Sequence, residues 1–173
     1  MATPIGPSPE DRHAIEDLYH RYLWALDTGD TDGYVDTFHP DATVIETTPE
    51  GVKHGRGHDE IRRWLVEDFH GDPEFPGHQH VQENLRYEVD PESREHHWRV
   101  RAYCQATTFR GDPPVATLFW CGHCDDIVAR RDGEWRILQR GIYPWAGDVL
   151  SRFAARVSQS AVVTGPERSR SRS

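Results

Sequence analysis

Two kinds of side chain in this 173-residue chain are spaced as if for chemistry. The first is a pair of thiols in Cys121-Gly122-His123-Cys124, the pattern of a dithiol that cycles between oxidised and reduced forms. That chemistry needs the leading cysteine exposed at a helix N-terminus, where the dipole and a neighbouring imidazole stabilise the thiolate. Here the next seven residues run from Asp125 straight into Asp132-Gly133, too soon for such a helix. The stretch therefore reads as a strand carrying two thiols, with thiol oxidoreduction the lesser alternative. The second kind is histidine, eleven in all, including His78-x-His80 and His96-His97. Imidazoles hold a metal when three or four ligands converge and outer partners orient them. Neither HExxH nor a second CxxC occurs, so no metal is expected. A histidine near its ordinary pKa can instead take and give protons at neutral pH.

The elements that must position such groups follow from periodicity. Ser8-Pro9-Glu10-Asp11 reads as a helix start, with Ser8 as N-cap, Pro9 in the first turn and acids near the positive end of the dipole. Ile15, Leu18, Tyr19, Tyr22, Ala25 and Leu26 follow at helical spacing as one buried stripe. Thr28-Gly29-Asp30 ends that helix. A short second helix over 31–38 is expected to close at His39-Pro40, a strand to span 42–47, and a third helix to span 58–70. After Gly77 the period changes to two. Strands are expected over 78–89, 95–109, 115–131 and 134–143, joined by turns rich in Asp, Pro and Gly. Helices first and a meander afterwards make an α+β domain with an antiparallel sheet.

The order helix, acidic turn, helix, strand over residues 11–45 resembles the SnoaL-like branch of the NTF2-like superfamily. So do His80-Val81-Gln82-Glu83-Asn84 at the first long strand and Asp132-Gly133-Glu134-Trp135-Arg136-Ile137 before the last. The resemblance covers about residues 9–145. It implies a cone in which N-terminal helices pack on a curved antiparallel or mixed sheet around an apolar cavity. It also implies a cofactor-independent lyase or isomerase (dehydratase, double-bond isomerase or cyclase) for a small apolar cyclic carbonyl or hydroxyl compound. In the scytalone dehydratases and bile-acid dehydratases a Tyr and an Asp from the first helix meet a His from the first long strand. Tyr22, Asp27 and His80 match these, with His80 a better match than His78.

Tyr22 and Asp27 are five apart, about 140° around a straight helix, so the chain must turn the carboxylate inward where the helix ends. His80 would move the proton, Asp27 would orient it, and Tyr22 would donate to a developing oxyanion. Arg140 resembles a substrate-seating arginine of the bile-acid enzymes. Tyr103 and Gln105 stand where relatives carry a second His or an acid. These two, with His123 or Cys121, are the expected inward residues of the middle strands, while Trp64 and Phe119 offer aromatic walls. The same fold also serves as scaffold, as in the small subunits of ring-hydroxylating dioxygenases, where side chains fill the cavity.

Composition bounds the rest. The net charge of −9 argues against a nucleic-acid partner. No apolar run is long enough to cross a bilayer, and MATPIGPSPE lacks the basic and apolar regions of a signal peptide. Three cysteines suit a reducing cytoplasm. The expected organisation is a flexible segment 1–8, one domain 9–157 and a disordered tail 158–173. A sheet covered by helices on one face needs a partner on the other, with Trp98, Val100, Leu118 and Trp120 as candidates, so a homodimer is expected.

Overall fold

The computed structural model describes residues 6–48, 51–92 and 94–153. The tail expected from residue 158 lies outside the described residues, as do residues 1–5. Helix α1 (Pro9–Thr28) starts as its capping residues require: Ser8 Oγ accepts the Asp11 N–H at 3.1 Å. It stops at Gly29, whose φ of 80° a side chain would resist. Its buried stripe is Ile15, Leu18, Tyr19, Tyr22, Ala25 and Leu26. The short α2 (Thr31–Asp36) is capped by Asp30 and carries Tyr34 and Val35 inward.

His39-Pro40 does not close α2. It lies inside β1 (Phe38–Thr48), because Thr37 already ends the helix: its hydroxyl donates to the Tyr34 carbonyl at 2.6 Å, and its own carbonyl accepts the Ile137 N–H at 2.9 Å. A further strand, β2 (Gly51–Arg56), pairs antiparallel with β1. Its polar residues show no alternation, so only backbone pairing reveals it. Helix α3 (Gly57–Leu65) then widens into a π-turn, Val66–His70. His70 fastens that turn to α1 and α2, with Nε2 donating to the Leu26 carbonyl at 2.9 Å and Nδ1 2.8 Å from Thr31 Oγ1.

Strands β3 (His78–Val89), β4 (His97–Arg110), β5 (Val115–Arg131) and β6 (Glu134–Pro144) form the meander. A 3-10 helix follows over Gly147–Phe153. The six strands make one curved sheet in the order β2-β1-β6-β5-β4-β3, antiparallel except for the β1–β6 pair. Register shifts between Glu83 and Arg86, Ala106 and Thr107, and Ile127 and Val128 bend it. The helices cover one face, and the core of Ile15, Leu18, Tyr34, Phe38, Ile61, Leu65, Val100, Val128 and Ile137 lies between.

Register also decides which residues face the helices. Val100 pairs with Tyr87 and is buried at 1% exposure, Trp98 packs on the same core, and Trp120 lines the cavity. Three of the four residues expected on the open face are therefore on the covered one. Leu118 is exposed.

Candidate active site

Among the described residues, an apolar-walled cavity of about 140 Å³ lies between the helices and the sheet. Leu23 and Leu26 of α1, Trp64 and Phe69 of the α3 region, Phe119 and Trp120 of β5 and Ile142 of β6 supply its walls. Its polar lining includes Tyr22, Tyr34, Glu46, His80, Gln82, Gln105 and Arg140. The π-turn is what brings Phe69 round to meet Trp64 edge to face, with ring centroids 5.4 Å apart. The glycine of the Cys-Gly-His-Cys run has a packing reason. A Cβ on Gly122 would lie 2.6 Å from the Trp120 ring and 2.1 Å from the Tyr143 carbonyl oxygen.

One polar group is held from behind. Asp27 occupies the last turn of α1, and its Oδ2 accepts the backbone N–H of His80 at 2.7 Å. Strand β3 is an edge of the sheet, so alternate backbone N–H groups point away from any ladder partner, and Asp27 takes one of them. Its other oxygen lies 2.5 Å from His80 Nδ1. A carboxylate only accepts, so Nδ1 carries a proton, and in the neutral ring Nε2 is the free acceptor. Nε2 makes no hydrogen bond among the described residues, and the His80 ring lines the cavity while Asp27 sits behind it. The side chains are 20% and 15% exposed, dry enough to hold geometry and open enough to exchange protons.

Beneath the cavity runs a buried chain of polar groups. Arg140 Nη1 donates to Asp126 Oδ2 at 2.7 Å, and the Tyr19 hydroxyl donates to the same oxygen at 3.0 Å. Arg140 Nη2 donates to Gln82 Oε1 at 2.9 Å and to Cys124 Sγ at 3.2 Å. The guanidinium also stacks 4.2 Å from the Tyr22 ring centre. Burial pushes Asp126 up to about 6, with Arg140 working against it. Burial opposes the Arg140 charge, but Asp126 together with Cys124, Tyr22 and Cys104 outweighs it, so the side chain stays a cation. The Tyr22 and Tyr34 hydroxyls are 3.1 Å apart. Burial pushes Tyr22 up to about 12, so it remains a neutral donor.

Of the residues singled out from sequence, Tyr22, His80, Arg140, Gln105, Trp64 and Phe119 line the cavity, and Asp27 backs His80. Tyr103 and His123 lie elsewhere. Ala106 is the cross-strand partner of His80 and Cys104 that of Gln82, so both face inward while Tyr103 is turned to the other face. Tyr103 is 51% exposed and packs on Trp145, and His123 stacks on Tyr143. His78 is held by the Phe75 carbonyl at 2.5 Å and packs on Phe75 and Phe119. Cys121 is exposed and Cys124 buried, both as free thiols inside β5. Sequence reading passed over Glu46, Gln82, Tyr34 and Asp126. Gln82 was within reach, two residues along the strand from His80 and so on the same face.

The profile of the SnoaL-like domain matches residues 7–141. The chain belongs to this SnoaL-like family. Solved structures with the same fold include Aln2 from a Streptomyces species, at 20% identity and TM-score 0.66, covering 84% of this chain and 97% of that one. ActVI-ORFA from Streptomyces coelicolor is 17% identical with TM-score 0.64, covering 77% of this chain and 96% of its own. A scytalone dehydratase candidate from Novosphingobium aromaticivorans is 22% identical with TM-score 0.59, covering 77% of this chain and 83% of its own. No curated protein matches the chain. At these identities the likeness carries the NTF2-like, cystatin-like fold.

Proposed function

We propose that this SnoaL-like protein is a cofactor-independent lyase or isomerase acting on a small, largely apolar cyclic carbonyl or hydroxyl compound. The observation that carries the reading is the Asp27–His80 pair, in which Nδ1 is tied down and Nε2 is left to the cavity. His80 would remove a proton next to the carbonyl, and Asp27 would stabilise the imidazolium that forms. Tyr22, kept neutral, would donate to the enolate oxygen. Dehydration, double-bond migration and aldol-type cyclisation share this first step. The volume is close to that of engineered cavities of roughly 150 Å³ that admit benzene, which favours single-ring ligands. Incubation with hydroxylated or conjugated cyclic ketones, read by ultraviolet absorbance, tests the reading. Turnover by the native chain and none by folded His80→Ala is the expected result, and equal turnover by both would end it.

The same reading includes a homodimer, supported by exposed Tyr103, Leu118 and Trp145 on and beside the uncovered face of the sheet. Light scattering at micromolar concentration should give twice the chain mass, and a monomer would contradict it.

A further inference from the structure

We propose that Glu46 is a second proton-transfer residue of this cavity, the acid that protonates the departing hydroxyl while His80 acts as base. The inference rests on the reading of His80 given above. In a flat sheet the strands of Glu46 and His80, β1 and β3, would lie four spacings apart, about 19 Å. The curved sheet instead brings both side chains to the wall of one cavity. Glu46 pairs with Ile142 of β6, another lining residue, so its side chain is on the covered face.

The natural neutralising partner has been drawn away. Lys53 stands directly opposite Glu46 across the β1–β2 ladder, where opposite charges ordinarily meet. Its ammonium instead donates to Asp68 Oδ2 at 2.6 Å. No hydrogen bond or ion pair reaches the Glu46 carboxyl among the described residues. The ionisable groups facing it are Lys53 and Asp68 at one side, His80 across the cavity, and Arg140 and Tyr34 below. Burial raises the pKa of Glu46 and Asp68 adds to this, while Lys53, His80 and Arg140 oppose it. The net effect keeps more of it protonated near neutrality than an ordinary glutamate.

In the step this allows, His80 Nε2 takes the proton from the carbon next to a carbonyl, and its electron pair forms the C=C bond as the β C–O bond breaks. The departing oxygen takes the Glu46 proton and leaves as water. Glu46 ends as carboxylate and His80 as imidazolium, and the proton returns from one to the other through solvent.

The probes are cyclohexanone, whose α-hydrogen exchange in D₂O needs only the base, and 3-hydroxycyclohexanone, whose conversion to cyclohexenone needs base and acid. Glu46→Gln should lower elimination at least about 100-fold relative to exchange, the scale of a positioned acid. His80→Ala should lower both. A folded Glu46→Gln variant with an unchanged elimination-to-exchange ratio overturns the assignment of Glu46. Absence of exchange in the native chain overturns the role of His80. A second measurement needs no turnover. In the ¹³C titration of the full chain, the Glu46 carboxyl should titrate above the ordinary glutamate range, and higher again in His80→Ala, where a positive neighbour is lost. An ordinary titration that His80→Ala does not move also overturns the proposal.

Discussion

The two oxygens of Asp27 take hold of His80 at two different atoms, the backbone N–H at 2.7 Å and ring Nδ1 at 2.5 Å. One carboxylate thus pins the edge strand to the end of α1 and sets the imidazole tautomer. Both partners act as one unit, so His80→Ala and Asp27→Asn should each lower kcat by about 100-fold or more. The double variant should fall little further than the worse single variant. Asp27→Asn should also lower Tm, since one contact it weakens is structural. Steady-state kinetics beside thermal melts separates the two effects.

Tyr22 should matter less. Its ring is packed among Tyr34, Phe38 and the Arg140 guanidinium, all of which Tyr22→Phe retains. The change removes one neutral donor, worth about 1 kcal/mol, or several-fold in kcat. Loss of more than about 100-fold, the scale of a dedicated oxyanion-hole donor, would mean that the Tyr22 hydroxyl carries most of the stabilisation of the enolate oxygen.

Arg140 and Asp126 are 3% and 0% exposed, and neither charge is tolerable there alone. Asp126→Leu should cost about 3–5 kcal/mol by leaving a buried cation unpaired, whereas Asp126→Leu with Arg140→Met should recover most of that. Denaturant unfolding of the native chain, the two single variants and the double variant measures it. If Arg140→Met alone were as stable as the native chain, the pair would not be a structural unit.

Histidine burial sets one part of the pH response. His39 is 3% exposed with Nε2 donating to the Ala129 carbonyl at 3.0 Å, and burial lowers its pKa. A group with a depressed folded pKa contributes fully above its unfolded pKa of about 6.5 and loses that contribution as pH falls. His97 and His123 are lowered for the same cause. Asp126, raised to about 6, acts in the opposite sense, because the folded state gains its proton before the unfolded one does. The clean observable is therefore a difference. His39→Gln, which keeps an N–H donor but does not titrate, should lose less Tm than the native chain between pH 7.5 and 5.5. Parallel curves for the two proteins would rule out His39 as a contributor.

How much of this could be read before any fold was known depends on the range of the interactions. The α1 stripe from Ile15 to Leu26, the Ser8 cap, the Gly29 stop and the four long strands are products of neighbours in the chain, so their residue types reveal them. The SnoaL-like resemblance likewise rested on local motifs around Asp27, His80 and Asp132-Gly133. Alternation also says which residues of a strand share a face, but not which face is turned inward.

That choice belongs to register, a contact between distant segments. On β4 it turned Cys104 and Ala106 to the cavity and Tyr103 away, because Gln82 and His80 pair opposite the even positions. The same holds for the diversion of Lys53 to Asp68, and for the bond between Asp27 and His80, 53 residues apart. Residue types pointed to Asp27, His80 and Tyr22 as candidates for proton transfer, and gave no sign of Glu46. Sheet curvature and strand pairing brought His80, Glu46, Gln82 and Arg140 from three separate strands to one cavity.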